Sequence, residues 1–298
     1  MTGDVHLEYK SRPSALVYMA GALLPSAGFR DGAPPALSAH WRQQRADARE
    51  LRDFFALSGL AGPGAWTLLY PHTISFALQM AILTHQAFPV PIWRVLQVRN
   101  QLLQIAPLDL AAPLDFSVTL SAQRMLDKGV EIDLHSVASR AGAALWESIN
   151  TFYIRGRFGR PGGAGQPPAA PDAGSTWLER WRMPRGGGLR FGALTGDYNG
   201  LHLSDWYARR LGFAHAFFHP QRVLGYCLAR LNPPEPAQPL RLDSWLKGPV
   251  FYGASVGLRA AVQADATVFA LHVGEDERPA VVGRVSQPLP GSRLQVGV

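Results

Sequence analysis

The chain has 298 residues, of which 47% are hydrophobic and 10% aromatic, enough for two ordinary domains or one large one with a substantial core. Its net charge of +7 rests almost wholly on arginine, since only Lys10, Lys128 and Lys247 are lysines, and no basic run of five or more marks a nucleic-acid tail. The single cysteine, Cys227, excludes an internal disulfide and a cysteine-based metal site and fits a reducing cytoplasm, and no apolar run reaches the ~18 residues of a membrane span.

In chain order, the run "ALVYMAGALL" (15–24) follows Lys10 and Arg12, but Asp4 and Glu8 precede it and no small-residue cleavage site follows. It reads as a buried helix rather than an export signal. "RDFFALSG" (52–59) is a short helix ending in Ser-Gly. "LLYPHTISFALQMAILTHQAF" (68–88) is a long helix, apolar on every side and therefore buried, with Pro71 suited to its first turn. "DFSVTLSAQ", "VEIDLHSV" and "WESINTFYIRGR" alternate apolar and polar residues as half-buried strands do. The turn signal "DKG" predicts that the first two are antiparallel neighbours.

"GRPGGAGQPPAAPDAGST" (159–176) has almost no large apolar residue and reads as a linker. It divides the chain into 1–158 and 177–298. The second part repeats the first: "RFGALTG" (190–196) ends in Thr-Gly, "AFFHPQRVLGYCLARL" (216–231) is an apolar helix, and "ASVGLRAAV", "TVFALHV" and "AVVGRVSQ" are strands. Each half is thus an α+β unit, one helix on an antiparallel sheet, and the two units are expected to meet as a pseudo-dimer.

The stretch "TGDYNGLHLSDWYARRLGF" (195–213) gathers Asp197, Asn199 and His202 just before a helix-like run. Each has a plain explanation as turn chemistry or a half-buried histidine. Together, on one turn, a carboxylate and an imidazole are the pair that moves protons near neutral pH.

This motif resembles that of the MaoC-like (R)-specific enoyl-thioester hydratases and 3-hydroxyacyl-thioester dehydratases. The likeness covers the second half well and the first more faintly, through "YPHTISFALQMAIL", "VRNQLLQIAPL" and "ALWESINTFYIRGR". It implies a double hotdog: two curved antiparallel sheets, each wrapping a long central helix. It also implies Asp197 and His202 as the catalytic pair, with Asn199, Gly196 and Gly200 holding the turn. The expected substrate is an acyl thioester on CoA or acyl carrier protein, without cofactor or metal. Nucleic-acid and membrane partners are not expected, and one chain either forms the pseudo-dimer alone or pairs with a second copy.

The first half lacks the pair. Aligning Ser58-Gly59 with Thr195-Gly196 sets Leu60 opposite Asp197 and Ala65 opposite His202. One site per chain follows, with residues 1–158 as scaffold and acyl-chain side, where Phe76, Met80 and Leu83 are candidate lining or ordinary core. His215 and His219 have a metal-ligand spacing but no third partner.

Two positions depart from the family pattern. Asn199 is followed by Gly200 where proline is common. The central helix opens with His219-Pro220 where His-Gly is common, and proline cannot supply the N–H that binds the thioester oxygen. The backbone of Gln221 is the next donor at that helix N-terminus. Arg222 is a candidate contact for a carrier phosphate or substrate carboxylate, or half of a structural salt bridge. Loss of the donor favours an acyl-thioester-binding module as the alternative. A thioesterase is disfavoured because "HPQRVLGYCLARL" carries no acid.

Overall fold

The structure is a computed structural model and describes residues 4–29, 36–159, 168–233 and 239–295. Its strands are β1 (Val5–Tyr9), β2 (Leu37–Gln44), β3 (Val95–Gln104), β4 (Leu114–Leu126), β5 (Gly129–Arg140) and β6 (Ala143–Arg155) in the first half. The second half has β7 (Trp177–Arg182), β8 (Leu240–Leu246), β9 (Ser255–Gln263), β10 (Ala266–Val273) and β11 (Val281–Ser286). The helices are α1 (Ala15–Gly21), α2 (Ala48–Leu57), α3 (Tyr70–Leu83), α4 (Gly188–Thr195), α5 (Asp205–Arg210) and α6 (Pro220–Leu228).

The strands form one sheet of 11, in the order β1-β2-β4-β5-β6-β3-β8-β11-β10-β9-β7. Beyond β1, the halves have identical topology. Each runs, from its outer edge inward, as first, third, fourth, fifth and second strand, with the apolar helix between the first and second strands in sequence. They join edge to edge, β3 against β8, through pairs from Arg99↔Trp245 to Gln104↔Leu240. The two antiparallel sheets expected to meet as a pseudo-dimer thus meet edge to edge, as halves of one continuous sheet. Strands that end a half each offer an unpaired edge, and pairing the two edges satisfies both. The outermost pair, β1 with β2, is parallel.

The helix α3 is buried almost all round, as its uniform apolarity requires, and lies against β2, β4 and β5. Its counterpart α6 is shorter, nine residues, so only one central helix is long. Both helices feed one core that includes Leu78, Ile82, Val223, Leu224, Leu242 and Phe269. Cys227 is sealed within it, and burial pushes its thiol up to about 12.

Beneath α3 the core is not wholly apolar. Asn150 donates to Gln79 Oε1 (2.6 Å) and lies 3.3 Å from His72 Nδ1, Gln79 donates to Ser136 Oγ (3.0 Å), and Gln97 donates to Asn150 Oδ1 (3.1 Å). Burial depresses the His72 pKa to about 3, so its ring is neutral. The opposite face of β4 and β5 carries a closed ionic cluster. Arg124 binds both oxygens of Asp133 (2.6 and 2.7 Å), and Arg99 clasps Glu131 (2.8 and 2.5 Å), all four side chains being buried.

Two sequence expectations need correction. Residues 15–24 do not form a buried helix: α1 buries only Tyr18, while Leu16 and Val17 are 80% and 71% exposed. The run is too short to be surrounded on every side. Of the Pro/Gly-rich stretch, residues 160–167 lie outside the described ones, but the following residues are packed. Pro168 accepts a hydrogen bond from Trp245 Nε1 (2.9 Å), Asp172 accepts one from Gln263, and Ala173 packs on Val268, Ala270 and Val282. Small residues let this extended segment lie flat on the sheet.

Candidate active site

The α4 helix ends because Gly196 takes a left-handed conformation, φ 81°, which only glycine adopts without strain. Gly59, its counterpart after α2, does the same at φ 72°, and Leu60 and Ala65 beyond it are buried core. After Gly196 the halves diverge, and the second inserts a turn that carries Asp197, Asn199 and His202.

Nearly every polar group around Asp197 is occupied. Its N–H donates to Thr195 Oγ1 (3.0 Å), its Oδ1 accepts from Asn199 N (3.1 Å), and its carbonyl accepts from His219 Nε2 (3.1 Å). The preceding carbonyl, of Gly196, accepts from the phenol of Tyr18. What remains is Oδ2, which lies 3.8 Å from His202 Nε2, too far for a direct hydrogen bond. Asn199 caps the next short turn by accepting from Leu201 N (3.1 Å), and a Cβ on Gly200 would stand 2.7 Å from the Tyr207 ring.

His202 is buried, and its Nδ1 lies 2.9 Å from the Phe217 carbonyl. A carbonyl only accepts, so Nδ1 bears a proton, and Nε2 is the ring nitrogen that faces Asp197. His219 stacks on His202 with ring centroids 4.0 Å apart. Burial first, then the neighbouring His202 charge, holds the His219 pKa well below the usual histidine value. Its ring is neutral, with the proton on Nε2 toward Asp197 O and Nδ1 without a partner among the described residues.

Pro220 is the first residue of α6, as expected, and His219 its cap. The N–H groups of Arg222 and Val223 turn back to the His219 carbonyl (3.0 and 3.3 Å), which leaves that of Gln221 as the first available donor. The Gln221 side chain is also buried, with neither carboxamide atom partnered among the described residues. Arg222 is 1% exposed and forms no salt bridge among the described residues. It donates to the carbonyls of Leu57 (3.0 Å) and Gly186 (3.1 Å) and lies 4.4 Å from the Phe218 ring centroid. It thus ties α6 to the end of α2.

One donor atom each from Asp197, His202 and His219 lie within 4.8 Å of one another, close enough to surround a small guest. With a single carboxylate, and with the Arg222 charge felt at His219, the trio suits a neutral water better than a divalent cation. His215, by contrast, is exposed beside Asp205 (3.1 Å) and takes no part.

No protein-family model matches the chain. A curated relative, 3-hydroxyacyl-thioester dehydratase X of Mycobacterium tuberculosis, is 24% identical over 219 residues, spanning 72% of this chain and 76% of the relative. The crystal structure of HtdX from that organism overlays with a TM-score of 0.69 at 20% identity, covering 84% of this chain and 100% of that one. A MaoC-like dehydratase from Phytophthora capsici gives 0.69 at 18% identity, over 87% and 97% of the two chains. A Mycobacterium tuberculosis protein described as a double hotdog gives 0.53 at 14%, over 89% and 96%.

The chain has the double-hotdog fold of the MaoC-like dehydratases. Within that fold, sequence reasoning found the Asp197 turn and the Pro220 helix start. It missed Tyr18 and the position of His219 against Asp197. Tyr18 stands 178 residues from its partner, and no local pattern announces such a contact.

Proposed function

We propose that this chain is a hydro-lyase that reversibly hydrates trans-2-enoyl thioesters, equivalently dehydrating (R)-3-hydroxyacyl thioesters, carried on CoA or acyl carrier protein. The observation that carries the reading is the separation of Asp197 Oδ2 and His202 Nε2, 3.8 Å, with Asp197 Oδ1 and His202 Nδ1 already committed to other partners. Two acceptors at that distance suit one water that donates a hydrogen bond to each. In hydration the water oxygen bonds to Cβ, the pair takes one of its protons, and a proton is delivered to Cα. The C=C π electrons become the new C–H bond by way of an enolate on the thioester oxygen. Dehydration reverses these steps, and the pair acts as both base and acid without cofactor or metal.

The enolate oxygen needs donors. With Pro220 at the helix start, we assign this to the N–H of Gln221, reinforced by the positive end of α6 and by the buried Arg222 charge. Arg222 then acts through its charge, held in place by carbonyls rather than reaching for a carrier phosphate. The halves divide the work: residues 177–298 carry the site, and residues 1–158 serve as scaffold, each half-sheet curving around its central helix. Phe76 and Met80, half-buried on α3, are the candidate acyl contacts of the first half. The polar row from His72 to Ser136 favours short acyl chains over long ones, since an apolar tail beneath α3 would break those hydrogen bonds. The expected partner is the thioester substrate alone, with the pseudo-dimer already complete in one chain or doubled in a homodimer.

Loss of the ultraviolet absorbance of crotonyl-CoA and longer 2-enoyl thioesters tests this directly. Turnover that Asp197→Asn and His202→Asn each reduce by about 10²-fold or more, with folding unchanged, supports the reading. Silence of the wild type with both carriers would overturn it and leave the alternative that Pro220 suggests, a protein that binds acyl thioesters without converting them.

A further inference from the structure

We infer that Tyr18 is a positioning residue of the acid–base turn: its phenol, brought by α1 from the first half, fixes the Gly196 carbonyl and so the peptide that carries Asp197. The inference rests on the role proposed above for Asp197. Three observations carry it. First, α1 does not exist to bury an apolar face. Tyr18 is its sole buried side chain, and its neighbours Leu16, Val17 and Met19 are exposed. Second, the backbone is shaped to receive the hydroxyl. At Gly196 a Cβ would stand 2.5 Å from Tyr18 Oη, so the glycine is required both for its φ and for this approach. Third, the bond falls where the turn is otherwise weakest. The Gly196 carbonyl belongs to the end of α4, where helix carbonyls lack intrahelical donors, and its other partner is the Tyr198 N–H two residues on (3.1 Å).

The helix itself is seated on the end of α3, where Gly21 packs so closely on the Thr84 carbonyl that a Cβ would come within 3.1 Å. Tyr18 therefore links the scaffold half to the turn of the active half. Burial first, and then the Asp197 charge, raise the phenol pKa, so the hydroxyl remains a donor across the working pH range. Freed of it, the Gly196–Asp197 peptide can rotate and carry Oδ2 away from its place opposite His202, and a displacement of about 1 Å at a reacting group is worth up to ~10²-fold in rate.

The test is Tyr18→Phe, which keeps the ring and removes the hydroxyl. Amide hydrogen exchange of residues 196–199, read without substrate, is expected to quicken by about tenfold or more. Enoyl-thioester turnover is expected to lose about tenfold or more in kcat, with KM within about twofold. Leu16→Ser, on the exposed face of α1, should leave both readouts at wild-type values. Gly196→Ala should cost less in the Tyr18→Phe background than in the wild type, because the colliding atom is gone. Unchanged exchange in Tyr18→Phe, or equal losses in Leu16→Ser, would overturn the clamp. A wild type without turnover would sink the hydratase reading instead, and the exchange data would still decide the clamp.

Discussion

At the scale of single residues, the site is governed by which nitrogen and which oxygen remain free. Carbonyls of Phe217 and Asp197 fix the tautomers of His202 and His219, and an imidazole whose partner is lost has no fixed tautomer. His219→Phe should therefore keep the stack yet lower kcat, because Asp197 loses the donor on its carbonyl. The part-buried carbonyl left without its donor should also cost about 1 kcal/mol, read by urea denaturation. His72 bears on stability instead. Its pKa is about 3 folded against an ordinary 6.5, so below 6.5 the unfolded chain takes up a proton that the folded chain refuses. Stability is then intact above pH 6.5 and lost progressively as pH falls toward 3, by an amount on the order of 4 kcal/mol from this group. His219 adds a loss of the same sign. Thermal melts from pH 7 to 4 should show a shallower decline in His72→Gln than in the wild type. The proximity of Asp197 and His202 was legible in the sequence because both sit on one short turn. The tautomer-setting contacts were not, because they join residues 15 and 22 positions apart.

At the scale of elements, Pro220 sets the character of α6. It suits the first helical position but removes the donor that an enolate would use. Pro220→Gly restores that N–H, and kcat should rise severalfold while the helix start weakens by about 0.5–1 kcal/mol, visible as a lower Tm. On the far face of the sheet, the ionic cluster behaves as a unit. Asp133→Ala removes the two short bonds to the buried Arg124 guanidinium, leaves it only the 3.3 Å contacts with Glu131, and should cost about 1–3 kcal/mol in denaturant melts. The strands β4, β5, β6, β9, β10 and β11 were readable from their alternation, but only β4 keeps the one buried face expected, while β5, β6, β10 and β11 are buried on both faces. Others were not readable: β7 is largely exposed, and β8 at the centre of the sheet is interrupted by charged Arg241 and Asp243, which pair with each other. The α1 segment misled for a physical reason, since hydrophobic composition records what can be buried and not what neighbours are present to bury it.

At the scale of the whole molecule, the halves share both a sheet and a core. Cutting the chain at a protease site inserted between Gly159 and Pro168 should leave them associated in native size-exclusion chromatography, though separate on a denaturing gel. The repeat itself could be read from the recurring helix, turn and strands; the edge-to-edge junction could not, because β3 and β8 carry no mark that distinguishes a partner within the chain from one outside it. That junction has a consequence for inheritance. In an assembly of two identical copies, every substitution is written twice, and a catalytic turn cannot be given up in one place without being given up in both. Here the two places are spelled separately. Leu60 and Ala65 are packing residues in one half, while the matching turn of the other carries Asp197 and His202 and receives the Tyr18 hydroxyl.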